Sequence, residues 1–445
     1  MSNFIVKDFQ HFNVLSDCSE LFDSTHELLD WSLTKFQDPN VTDFGTRNLK
    51  FDLQTWLGGA ITNLATCNDE LVGTNMSTIL KDKIIMSLEK VTTLVNDQWA
   101  YVQQMSDDTV GHDFQSWFDS HDWKLMQVDA ISANITVASD GSGDFTSIME
   151  AVKAAPNNSL ARFVIYIKKA TYKEYVSIPQ NKWNIMMVGD GMDQTIISGS
   201  HSNTTGYGTY GSATFAVDGQ QFVAVDITFE NTAGPEEGQA VALRSDSDFS
   251  IFYRCGIQGY QDTLYPHHNR QFYRECRISG TVDFIFGDAT VVFQKCEILP
   301  RQALPGQSNT ITAQGRETPD SKTGFSFHLC TISGDSDLIS SANPTPTFLG
   351  RPWKTYSRTV FMETFMSNII NPEGWLRWTS SFESTLFYGE YKNTGPGAST
   401  DKRVNWPGVH ILNSSQAQFY TVSQFIKGNS WLPPTGIPYN GGLEG

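Results

Sequence analysis

The sequence predicts an all-β right-handed parallel β-helix preceded by a small all-α helical bundle. Three observations predict it: helical spacing of apolar residues confined to the first hundred positions, short β-rich runs beyond Ile131 with almost no helical pattern between them, and a repeat with a period near twenty. At 445 residues, 39% of them hydrophobic and 18% charged, the chain can bury sizeable cores in about two or three domains. The same figures exclude collagen-like, coiled-coil and disordered classes. A formal charge of -17 argues against a chain built to grip nucleic acid or an anionic membrane surface. The acidity is uneven: residues 1–130 hold 8 basic and 20 acidic side chains, residues 131–445 hold 23 and 28. The two parts therefore present different surfaces.

The helical part comes first. Cys18, Leu21, Phe22, Leu28 and Leu29, then Trp56, Leu57, Ala60, Ile61 and Leu64, then Ile84, Leu88, Val91, Leu94 and Val95 fall at three- and four-residue steps, which predicts three helices between about Leu15 and Tyr101. Asp17 and Asp52 are expected near helix starts, and Gly73 and Asn75 separate the second helix from the third. Cys18 and Cys67 fall on different helices, so either a staple between them or two buried thiols fits. The bundle is placed at 1–105, a linker at 106–130, and the β-helix at 131–445.

In the β-rich part, Phe163–Ile167, Asn184–Gly189, Phe222–Ile227 and Val291–Phe293 read as strands, and Thr146 to Ala155 is the one helical pattern. Phe252-Tyr253-Arg254-Cys255-Gly256-Ile257 recurs as Phe272 to Ile278 and as Val292 to Ile298, with Cys-to-Cys steps of 21 and 20, and Phe327 to Ile332 is a more distant copy. Strands this short cannot stand alone, so each rung must bury its apolar face on its neighbours. A β-sandwich with coincidental spacing is the alternative.

Stacking converts offset into geometry, because residues at equal offset in successive rungs lie one strand spacing apart, about 4.8 Å. Asp262 and Asp283 each follow a cysteine of the repeat by seven residues, and Gln239 precedes Gln261 by 22. Two carboxyl groups and two carboxamides then converge on one patch. Paired carboxyls separate in pKa, so one can donate a proton while the other attacks. The carboxamides offer N–H donors to an oxyanion, and Arg351 is a fork to hold the attacking carboxylate. This set fits acyl transfer without any metal or cofactor. Each residue also has a structural reading: aspartates cap turns, glutamines form amide ladders, and Arg351 could be an ordinary ion pair.

Other motifs add less. Asp140-Gly141-Ser142-Gly143-Asp144 lacks the lysine of a phosphate loop and reads as a turn, no Gly-x-Ser-x-Gly elbow exists, and His267-His268 read as a solvated loop. The six cysteines include no Cys-x-x-Cys pair, no apolar run spans a bilayer, and the N-terminus lacks a secretory h-region. Asn-x-Ser/Thr triplets at Asn40, Asn75, Asn134, Asn157, Asn203 and Asn413 would accept glycans only on the secretory route.

Gln239 to Arg244, Tyr260 to Tyr265, Asp283 to Gly287 and Leu349 to Trp353 resemble, in order and spacing, the signature segments of plant pectin methylesterases, across roughly residues 131–445. The resemblance implies Asp283 as nucleophile, Asp262 as general acid and then base, Gln239 and Gln261 as transition-state stabilisers, and Arg351 as the residue that orients Asp283. It implies Trp353 stacking on a galacturonate ring, with Thr209, Tyr210, Tyr265, Phe286 and Trp375 lining the groove, although the family usually has Phe where Tyr210 stands. It also implies a disulfide between Cys276 and Cys296. Residues 15–101 resemble the inhibitor domain that precedes the catalytic domain in many of these proteins, with Cys18 and Cys67 matching its helix staple. That domain's first hairpin is missing, so the chain is expected to begin partway into it. The basic processing motif is reduced to Trp123-Lys124-Leu125-Met126.

The expected activity is demethylesterification of homogalacturonan to pectate and methanol. The implied protein is an extracellular, cell-wall monomer that meets pectin, with a proteinaceous pectin methylesterase inhibitor as a candidate partner. Two rivals stand beside it. One is a glycosidase or lyase on the same solenoid, although inverting glycosidases space their carboxyls about 6.5–9.5 Å apart, wider than one rung. The other is a non-catalytic inhibitor or wall-binding protein.

Overall fold

The computed structural model describes residues 2–38, 45–46, 48–74, 76, 78–105, 132–378 and 381–444, with residues 2–8 and 78 described by their backbone alone. The expected linker at 106–130, the Trp123–Met126 segment and the triplets at Asn40 and Asn75 lie outside them. The chain forms two compact units: the helices with residues 202–212, and the β-rich remainder.

The helical unit is three helices, α1 (Ser2–Gln37), α2 (Leu49–Gly73) and α3 (Thr78–Gln103). Asn48 caps α2 by accepting the Phe51 N–H, and Asp52 sits in the first turn. Asp17 does not start a helix as expected: α1 begins at Ser2 and Asp17 is buried within it. The apolar stripe of α1 (Val14, Cys18, Leu21, Leu28) and that of α2 (Trp56, Leu57, Ala60, Leu64) are buried, and Trp31 meets Trp56 edge to face. Of the two readings left open for Cys18 and Cys67, the disulfide is the one formed, joining α1 to α2.

The β-rich unit is a stack of rungs. Its strands, all parallel, form sheets of eleven, eight and seven strands among the described residues. One rung runs Ser250–Tyr253, Gly256–Gln258, Leu264–Pro266, and the next runs Arg270–Arg274, Arg277–Gly280, Ile285–Gly287, one strand in each sheet. This is a parallel β-helix. Neighbouring rungs pair in register, so like residues stack: Phe252, Tyr273, Phe293, Phe327 and Phe361 form a column with ring centroids 4.7, 4.9, 4.6 and 4.5 Å apart. The short helix Ile148–Ala154, capped by Ser147, lies where the lone helical pattern predicts it.

Rungs turn through residues in the left-handed region. Arg254, Glu275, Lys295 and Leu329 have φ of 51°, 53°, 54° and 58°, each followed by a cysteine of the repeat. The pairing expected between Cys276 and Cys296 is not made. Cys255, Cys276, Cys296 and Cys330 are all buried free thiols. The Cys276 and Cys330 thiols donate to the Phe252 and Phe293 carbonyls at 3.2 and 3.4 Å, a rung away. In-register parallel residues point the same way at about 4.8 Å, whereas a disulfide wants Cβ atoms about 3.8 Å apart.

Candidate active site

Leu264 pairs in register with Ile285, so Asp262 and Asp283, each two residues earlier, stand one above the other. The Asp262 N–H donates to the Val282 carbonyl at 3.1 Å, fixing that registration next to the aspartates themselves. Both occupy left-handed backbone, with φ of 61° and 53°, which costs a non-glycine residue about 1–2 kcal/mol. Both are buried, at 8% and 6% exposure. Burial first, and then the negative charge of Asp283, hold the Asp262 carboxyl well above the usual carboxylate range, against a smaller opposing pull from Arg351.

Asp283 has partners that Asp262 lacks. Arg351 reaches it as a fork, Nε donating to Oδ1 at 2.7 Å and Nη2 to Oδ2 at 2.6 Å. The guanidinium lies over the Trp378 ring, 4.1 Å from its centroid. Thr310, one rung on, donates its hydroxyl to Oδ1 at 2.6 Å. The arrangement sets one carboxyl that resists ionisation beside another clamped by a cation, which suits an acid and a nucleophile. Gln239 and Gln261 are both half-buried. Leu243 pairs with Leu264, an offset of 21, so Gln239 stands one residue before the position in register with Gln261.

The family model described as Pectinesterase matches residues 134–429, and that described as Plant invertase/pectin methylesterase inhibitor matches residues 3–100. The chain belongs to the pectinesterase family. It is 55% identical over 436 residues to a pectinesterase/pectinesterase inhibitor of Prunus persica, covering 97% of this chain and 83% of that one. It is 48% identical to pectinesterase 2 of Citrus sinensis, covering 96% and 81%. Among solved structures it resembles pectin methylesterase from carrot with a TM-score of 0.70 and 51% identity, covering 71% of this chain and 99% of that one. Pectin methylesterase PemA from Erwinia chrysanthemi superposes with a TM-score of 0.58 at 27% identity, covering 71% and 100%.

In this pectinesterase the aromatic residues divide in a way the sequence does not show. Tyr265 and Phe286 stack at 4.2 Å and are buried, while Trp353 approaches the edge of Phe286 at 6.0 Å and stays half-buried. Gly315 admits that indole, since a Cβ there would sit 2.8 Å from it. Trp375, expected to line the groove, is instead 1% exposed, packed in the solenoid core and stacked on Tyr388 at 3.9 Å. Its backbone bridges to Gly350 as a further turn of the seven-stranded ladder, which places it in the core. The tryptophan beside the site is Trp378, three residues on, and sequence reasoning missed it.

Thr209 and Tyr210 are described with the helical unit, not with the aspartates. There Tyr210 is buried, its N–H donates to Glu70 Oε1 at 3.1 Å, and its hydroxyl donates to Glu20 Oε1 at 3.3 Å. His267 and His268, expected in a solvated loop, are fully buried against Asp246. Burial pushes the His268 imidazole down to about 3.

Proposed function

We propose that the chain hydrolyses methyl esters of homogalacturonan through the Asp262–Asp283 pair, releasing methanol and leaving a galacturonate carboxylate. The observation that carries this reading is the opposed environment of two carboxyls one rung apart: burial and the Asp283 charge raise Asp262, while Arg351 clamps Asp283. Asp283 attacks the ester carbon, and the carboxamides of Gln239 and Gln261 receive the developing oxyanion. Asp262 gives its proton to the departing methoxide, leaving an acyl-enzyme anhydride. Asp262, now a base, takes a proton from water as the water attacks the acyl carbon; the acid product leaves and the Asp283 carboxylate is restored.

Trp353 would stack on a uronate ring, with Trp378 in the role first given to Trp375, and Tyr265 and Phe286 would back the platform. Thr209 and Tyr210 keep a groove-lining role only as part of this proposal. Family membership supports pectin as the polymer met and a cell-wall setting; a monomeric enzyme with a proteinaceous inhibitor as partner completes the proposal. No helix among the described residues is long and apolar enough to cross a membrane.

The test is timed methanol release from methylesterified homogalacturonan by the purified chain. Asp283→Ala is expected to lower turnover by about 1,000-fold or more while pectin binding persists. Turnover close to the parent's would overturn the assignment, and falling viscosity without methanol would point to chain cleavage.

A further inference from the structure

Thr310 is buried on the strand Asn309–Gln314, the rung that follows Asp283. Its hydroxyl makes two bonds to one residue: it accepts the Asp283 backbone N–H at 2.9 Å and donates to Asp283 Oδ1 at 2.6 Å. A hydroxyl has a single proton, so this double engagement fixes its rotor. Oδ1 then receives Thr310 and Arg351 Nε, while Oδ2 receives Arg351 Nη2 alone among the described residues. Each carboxylate oxygen offers about two acceptor directions. Oδ1 is full, and Oδ2 keeps one direction open.

We propose that Thr310 is a positioning residue that selects Oδ2 of Asp283 as the attacking atom. The inference rests on the reading of Asp283 as nucleophile. Oδ2 forms the bond to the ester carbon, the carbon–methoxy bond breaks, and the proton from Asp262 leaves with the methoxide as methanol. In the second half-reaction water adds to the same carbon, its proton passes to Asp262, and the bond to Oδ2 breaks with its electron pair returning to Asp283. Through both steps Oδ1 stays bonded to Thr310 and Arg351. The hydroxyl therefore prevents the carboxylate from rotating about its own axis and presenting the wrong oxygen. Because Thr310 does not reach the substrate, its loss acts on the chemical step and spares binding.

The experiment compares Thr310→Val, Thr310→Ser and Asp283→Asn by methanol release, with thermal melts to set an assay temperature at which each remains folded. Thr310→Val, equal in shape but without the hydroxyl, is expected to lose about 10- to 100-fold in kcat with KM within about twofold of the parent, and Thr310→Ser to recover most of that loss. Should the valine variant not fold, Thr310→Cys, a weak donor and acceptor, is expected to fall between serine and the valine range in kcat. Unchanged kcat in the valine or cysteine variant, or a serine variant as slow as either, overturns the role of Thr310. Retained turnover in Asp283→Asn overturns the nucleophile assignment instead, so the two failures are distinguishable.

Discussion

Among the left-handed corners of the β-helix, one lined by charged residues and one by aspartates behave differently. Arg254, Glu275 and Lys295 share φ values of 51–54° with Asp283 at 53°, yet the first three are half-buried or exposed whereas the aspartate is buried. At the open corner the side chain reaches the surface, where Arg254 pairs with Asp226 and Glu275 with Arg274, and its identity changes from rung to rung. At the closed corner a carboxyl must either find a cation or keep its proton. Asp283 does the first with Arg351, and the Asp262 carboxyl, raised by burial and by the Asp283 charge, resists ionisation. Backbone repetition supplies positions; burial decides which of them acquire chemistry.

The largest contrast between the corners is in activity. Asp262→Asn, which removes the proposed proton donor, is expected to lower kcat by about 100- to 10,000-fold, and Lys295→Asn at the open corner to leave it within about twofold. Methanol release measures both, and equal losses would erase the distinction. Next comes the clamp. Arg351→Lys keeps the charge but loses the fork and the planar stack on Trp378, so about a 10-fold loss is expected in the same assay.

The smallest effect has the opposite sign. A carboxyl whose folded pKa is raised from 3.8 is protonated in both states at low pH, but above that value the unfolded chain ionises while the native site resists. The Asp262 carboxyl therefore costs stability as pH rises past about 4. Asp262→Asn is expected to melt above the parent at pH 7 and level with it near pH 3, by calorimetry. On the proposed mechanism the same shift implies an alkaline limb to activity, where Asp262 loses the proton it would donate.

The parts of the site that were legible in the sequence are those that obey the period. Asp262 and Asp283 are 21 residues apart, the offset of the pairing between Leu264 and Ile285, so their stacking follows from counting. Thr310 escaped because its rung is longer: Ile285 pairs with Thr312, an offset of 27, and a search at twenty or twenty-one passes over it. The cysteine steps spell a ladder, but a ladder of parallel thiols is not the geometry of a disulfide. Trp375 and Trp378 are indistinguishable by composition, and only the bridge from Gly350 to Trp375 shows which one faces the core. His267 and His268 read as a solvated loop in sequence because the aspartate that buries with them is 21 residues away in the chain, one rung back.

Asp262, Asp283, Thr310 and Arg351 belong to four consecutive strands of one ladder, Leu264–Pro266, Ile285–Gly287, Asn309–Gln314 and Thr347–Gly350, or to the turns beside them. Turnover is therefore a gauge of the spacing between those coils. Peeling the solenoid from either end by mechanical force would leave hydrolysis untouched until the unzipping front reached this quartet or the Gln239 and Trp378 turns that flank it, and then extinguish it.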